Sequence, residues 1–180
     1  DDLIAASAAA ADGRDHQTPM EAIRARHHAT AADLLTGEDF DEVSGRIDEV
    51  FDELGGILHG ISLVGECTAR TRDSVLSCGE RLSAQLVAAA LRRSGTPATS
   101  SDARNLIVTD DDFGEARVDL EATRDRVSRH FVKQDATQVI PGFIAANPRG
   151  DTTTLGRGGS VYTAAILGAA LEVDCIEIWT

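Results

Sequence analysis

The sequence predicts an α/β domain in which a helical N-terminal part lies over a mainly parallel sheet. Three observations lead there. Apolar residues recur at helical spacing through the first sixty positions, short β-branched runs appear only after residue 100, and those runs alternate with further helical segments. At 180 residues, 42% hydrophobic and 26% charged, the chain is long enough to bury a core as one domain.

The first helix follows from Leu3, Ile4, Ala8 and Ala11 and stops at Gly13. A second begins at Thr18 as N-cap with Pro19 in the first helical position. It carries Ile23, His27, Leu34 and Leu35 near one face before Gly37. A third, about Phe40 to His59, places Val43, Ile47, Val50, Leu54 and Leu58 opposite an acidic face. A fourth spans about Ser83 to Arg93 and ends at the Ser94-Gly95-Thr96-Pro97 turn. Leu106–Thr109, Gln138–Ile140 and Cys175–Trp179 are the strand candidates, with helices at Leu120–Phe131 and Ser160–Leu171 between them. The last strand has no exit turn, so residues 1–180 read as one domain that is the central piece of a longer enzyme, a natural short domain being the alternative.

Charge narrows the partners. Thirty acidic against seventeen basic residues give −13, which repels nucleic-acid backbones and anionic membranes. No run approaches the roughly 18 apolar residues of a membrane span, and a cytoplasmic chain is expected. Cys67, Cys78 and Cys175 are odd in number and lack metal-ligand spacing, which gives neither a disulfide framework nor a zinc site. Sixteen of the basic residues are arginine, and Lys133 is the only lysine.

Two segments carry chemistry. Thr152-Thr-Thr-Leu-Gly-Arg-Gly-Gly-Ser160 leads into a helix of small residues, where glycines let the backbone approach a ligand and the helix start offers amides to an anion. Arg157 adds a planar fork for a carboxylate or phosphate; a glycine turn with a solvated arginine is an equally good reading of the spacing. The segment is not the GxxxxGK[ST] phosphate loop. In Ser77-Cys-Gly-Glu-Arg-Leu-Ser-Ala84 a small turn is expected to open the fourth helix, with Glu80 in its first turn. There Glu80 is either a simple dipole-favoured acid or a carboxylate aimed at a substrate ammonium group. Pro141-Gly-Phe-Ile144 follows a strand at a position where substrate loops occur. The five histidines form no metal or triad pattern, and Asp110-Asp111-Asp112 reads as a solvated loop.

Taken in order, SCGERLSA, PGFI, TTTLGRGGS and the final Ile176-Glu-Ile-Trp-Thr180 resemble the kinase domain of aspartokinases, and Glu-Ile-Trp-Thr after a cysteine is similar to the bifunctional forms fused to homoserine dehydrogenase. The resemblance implies a partial three-layer α/β/α sandwich of the amino-acid kinase type. It also implies ATP-dependent phosphorylation of the L-aspartate side chain, at the head of lysine, threonine and methionine synthesis. Glu80, Phe143, Arg157, Gly158 and Ser160 match substrate-binding positions, and Thr180 matches the start of the nucleotide site. L-aspartate and ATP are the implied partners, with Mg2+ in the full-length enzyme and no cofactor expected on these residues alone.

The chain departs from that family in two places. The lysine of its N-terminal Lys-Phe-Gly-Gly-Thr-Ser stretch has no counterpart here, and Val161 stands where the family has the aspartate of GGSD. Valine neither carries charge nor accepts a hydrogen bond, so no catalytic residue is assigned and these 180 residues are expected to be inactive alone. The alternatives are a non-catalytic assembly or regulatory module of the same fold, and a related kinase acting on glutamate, acetylglutamate or a nucleotide. A sheet without its first strand would expose edges and apolar surface, so a homo-oligomer is expected.

Overall fold

The computed structural model describes every residue except Asp1, Lys133 and Thr180. In chain order its elements are α1 (Asp2–Ala11), α2 (Gln17–Leu34), α3 (Glu38–Val64), α4 (Ala69–Arg93), β1 (Ala98–Ser100), a 3-10 turn at Ala103–Asn105, α5 (Leu120–Phe131), β2 (Thr137–Val139), β3 (Ile144–Ala146), β4 (Thr152–Thr154) and α6 (Gly159–Leu171).

The expected α/β class with a helical beginning is what the chain adopts. The apolar face of α3 buries Val43, Ile47, Val50, Phe51, Leu54, Leu58 and Ile61. Those side chains meet Ala6 and Ala10 of α1, Ile23 and Ala31 of α2, and Val75, Cys78, Leu82, Leu86 and Ala89 of α4 in one core. A second core joins Leu106, Ile107, Ala145 and Leu155 to Val127 of α5 and Ile166 of α6. Helix α4 touches α1 and α3 and also β1 and β4, while α5 packs on α6. The layers are therefore helices, strands, helices, and α4 is the element shared by the first core and the sheet.

Strand pairing is modest. β1 and β2 pair in parallel with Ala98 opposite Thr137, Val108 bridges Ala146 in parallel, and β3 and β4 form an antiparallel hairpin with Ile144 opposite Thr154. All three residues of β3 and of β4 are buried, so neither strand shows the alternation that marks a half-exposed strand.

Several boundaries differ from the expectation. Helix α2 is started by Asp15, whose carboxylate accepts from the amides of Gln17 and Thr18, rather than by a Thr18 cap. The expected strand at Leu106–Thr109 contributes only single bridges at Val108 and Thr109. The expected strand at Cys175–Trp179 is absent: residues 175–179 are exposed and form no ladder, and the segment turns back over α6, where an added Cβ at Gly168 would stand 2.4 Å from Ile176 Cδ1. A strand needs a neighbour to satisfy its backbone, and none of the described strands lies beside this one. Of the cysteines only Cys78 is core; Cys67 is half-buried and Cys175 exposed.

The largest difference concerns SCGERLSA. Thr68 caps α4, its side chain accepting from Thr71 N–H at 3.2 Å, so the helix starts eight residues before Ser77 and runs straight through Gly79. Gly79 is used for packing, since an added Cβ would stand 3.3 Å from Leu3 Cδ1. Glu80 is therefore in mid-helix, outside the reach of the N-terminal dipole, which falls off within the first turn. Replacing Thr68 by alanine is expected to cost about 1 kcal/mol in urea unfolding; no loss would mean that the cap does not set the start of α4.

Candidate functional site

One face of α4 carries Ala69, Arg72, Asp73, Leu76, Gly79 and Glu80, spaced three and four apart as helical neighbours must be. This face lines two neighbouring cavities, lobes that share two of their lining residues. The lobe at the Arg72 end has a volume of about 520 Å³ and also takes in Arg157, Glu115 and Thr154. The lobe at the Glu80 end, about 400 Å³, also takes in Ile23, Arg26 and His27. Leu76 and Phe143 line both lobes and form the waist between them.

Asp73 locks this floor to the glycine loop. It is 1% exposed. Its carboxylate accepts from Thr154 N–H at 3.0 Å, Thr154 Oγ1 at 2.8 Å and Gly114 N–H at 2.9 Å. Burial pushes its pKa up, opposed by those donors. One side chain thus ties α4 to β4 and to the 113–115 loop. Nothing in the sequence analysis singled it out, although its distance of seven residues from Glu80 puts the two carboxylates on one face.

The Pro-Gly-Phe turn is packed just as closely on the start of α6. An added Cβ at Gly142 would stand 2.8 Å from Ser160 Cα, and one at Gly159 2.9 Å from Phe143 Cδ2, so only glycine permits either approach. Phe143 N–H donates to Thr163 Oγ1 at 3.0 Å, and its carbonyl accepts from Leu155 N–H at 2.9 Å. These contacts hold Phe143 at φ 71°, a left-handed conformation that a bulky side chain adopts only under constraint.

The expected site residues are only partly brought together. Arg157 is exposed, shares a lobe with Phe143 and makes no ion pair among the described residues. Glu80 shares the other lobe with Phe143, is half-buried, and has its pKa raised by desolvation. Ser160 is exposed in the first turn of α6, against Gly142. Gly158 is the left-handed N-cap of α6. The amide array there is smaller than expected, because Gly159 N–H is already bonded to the Gly156 carbonyl, leaving Ser160 and Val161 as the donors of that turn. Val161 is 50% exposed, and no carboxylate stands in its place. Thr180 and Lys133 lie outside the described residues. No group of three or more His, Cys, Asp or Glu among the described residues is arranged to hold a metal ion.

The model of the amino acid kinase family matches residues 5–180. Aspartokinase 2, chloroplastic, of Arabidopsis thaliana is 36% identical over 168 residues, covering 90% of this chain and 31% of its own length. Bifunctional aspartokinase/homoserine dehydrogenase 1, chloroplastic, of the same plant is 33% identical, covering 94% of this chain and 19% of its own length. The chain superposes on E. coli aspartokinase III in complex with aspartate and ADP with a TM-score of 0.87 at 27% identity, over 98% of this chain and 40% of that one. It thus spans less than a third of the curated relatives' length.

Two glycine substitutions test the packing described above. Gly142→Ala is expected to lower stability by about 1–3 kcal/mol, because the backbone of Ser160 cannot give way cheaply. Gly45→Ala, at an exposed position in α3 with nothing within 4 Å of the added Cβ, is expected to raise it by about 0.5–1 kcal/mol. Equal midpoints in urea for the two variants would contradict the close approach of the two loops.

Proposed function

The chain belongs to the amino acid kinase family, and we propose that it forms the amino-acid-binding half of an aspartokinase, which transfers the γ-phosphoryl group of ATP to the side-chain carboxylate of L-aspartate. In that reaction a side-chain oxygen attacks the γ-phosphorus as the bond to the ADP oxygen breaks, giving 4-phospho-L-aspartate. The observation that carries the reading is the pair of neighbouring lobes along α4, one lined by Arg157 and the other by Glu80, with Phe143 lining both.

Those groups suit an amino acid that is itself an anion. Arg157 can hold the α-carboxylate in two places, Glu80 can take the ammonium group, and the Ser160 and Val161 amides add donors at the positive end of α6. Phosphoryl transfer asks the protein mainly for positioning and positive charge, and these residues do the positioning. ATP is the second substrate, with Thr180 assigned to the start of its site. Mg2+ would come with the nucleotide; the described residues offer it no ligand cluster and no step is assigned to it. No described helix is long and apolar enough to cross a membrane. A cytoplasmic homo-oligomer, central to a longer polypeptide and without nucleic-acid or membrane partners, completes the proposal; the net charge of −13 supports the last point.

Val161 favours a second reading, that of an assembly or regulatory module that kept the fold without the chemistry. In the full-length natural protein, Val161→Asp separates the two. Trapping the acyl phosphate with hydroxylamine is expected to show turnover about 10²–10⁴-fold higher in the variant. Unchanged or absent turnover would favour the non-catalytic module.

Binding should also respond to pH. The Glu80 carboxyl ionises above the usual glutamate value of 4.5, so the ammonium partner is lost as pH falls through that raised value. L-aspartate affinity measured by calorimetry is expected to weaken on acidification above pH 4.5, and Glu80→Gln is expected to remove that limb. A wild-type profile flat down to pH 4.5 would contradict the assignment.

A further inference from the structure

We infer that Arg72 is a second substrate-binding arginine of this cleft, holding the side-chain carboxylate of the bound amino acid while Arg157 holds the α-carboxylate. The inference rests on the aspartate reading above and concerns the part of the ligand left without a charged partner there. A dicarboxylic amino acid brings two carboxylates and one ammonium group. Arg157 and Glu80 account for one of each, and one carboxylate remains.

Charge pairing and position together single out Arg72; Arg117 and Arg126 also lack a side-chain partner among the described residues, but neither lines this cleft. The chain has nearly twice as many acids as bases, and ten of its sixteen arginines hold a side-chain carboxylate within 4.0 Å. Arg72 makes neither an ion pair nor a side-chain hydrogen bond among the described residues, and the same is true of Arg157. Both arginines line the same lobe of about 520 Å³. Two like charges facing one small cavity repel, and an anion between them relieves the repulsion.

The acids of that lobe do not do so. Asp73 follows Arg72 directly and feels its charge, but its oxygens are occupied by the amides of Gly114 and Thr154 and by Thr154 Oγ1. Glu115 is exposed and lies across Gly156, its Cγ 3.1 Å from where a Cβ would be, and it bonds neither arginine. Position along the helix also fits. Arg72 and Glu80 are eight residues apart on one face, or about 12 Å along the axis, with Leu76 between them. Carboxylates then collect at the Arg72 end and the ammonium points past the Phe143 waist toward Glu80.

The test compares two ligands on the full-length natural protein. L-aspartate and L-asparagine share the α-carboxylate and ammonium and differ only in the side-chain charge. By calorimetry, Arg72→Gln is expected to weaken L-aspartate about tenfold or more and leave L-asparagine unchanged, whereas Arg157→Gln weakens both by a similar factor. Arg72→Lys, which keeps the charge but not the fork, should retain part of the preference for L-aspartate. Thermal unfolding of each variant checks that the fold is kept, as expected for an exposed helix position. Equal weakening of both ligands by Arg72→Gln, or none, overturns the inference while leaving the aspartate reading intact. Wild-type protein that binds neither ligand overturns both.

Discussion

The site depends on a single buried carboxylate. Asp73 has almost no contact with water, and each of its neighbours is a donor that would be stranded without it: the amides of Gly114 and Thr154 and the Thr154 hydroxyl. A buried amide without an acceptor costs about as much as the hydrogen bond it lost, so the three partners and Asp73 hold one another in place. Because Asp73 belongs to α4 and Thr154 belongs to the strand that leads into the glycine loop, this joint sets the separation of Glu80 from Arg157. Desolvation raises the carboxyl pKa and the donors oppose it, a balance tolerated at a joint that must be rigid.

Rigidity is reinforced on the other side of the cleft. Phe143 is held in a left-handed conformation by bonds to Thr163 and Leu155, and the backbones of Gly142 and Gly159 approach their partners more closely than any side chain allows. Strain of this kind persists only where the surroundings over-determine it. Here it places an aromatic ring at the waist of the cleft and keeps the start of α6 directed at the same space. Arg72 and Arg157, by contrast, are exposed and make no ion pair among the described residues.

Much of this was legible in the sequence, for physical reasons that differ from one element to the next. The helices α3 and α5 were readable because a one-sided apolar face imposes a 3.6-residue period, and α5 begins at Leu120 as expected, with Asp119 as its cap. SCGERLSA was misread as the opening of a helix because Gly79 suggests a turn; the true cap, Thr68, lies eleven residues earlier, and Gly79 instead makes room for Leu3. The hairpin β3–β4 was missed because its strands are three residues long and buried throughout, Ile-Ala-Ala and Thr-Thr-Thr, which leaves no alternation to read. Cys175–Trp179 failed for the opposite reason: its residues favour a strand, but a strand is a property of a pair. Within the site, spacing left Arg157 and Glu80 open between a structural and a binding role and the resemblance to aspartokinases assigned them, whereas Arg72 and Asp73 are ordinary helical residues in the sequence and acquire meaning only once α4 faces the glycine loop.

The most direct measurement of the central claim is the crystal structure of the full-length natural protein with L-aspartate at saturating concentration. The account predicts the ligand in the cleft on α4, beside Phe143, with a carboxylate on the Arg157 guanidinium and its ammonium toward Glu80. An amino acid bound elsewhere, or a cleft still occupied by water, would contradict it.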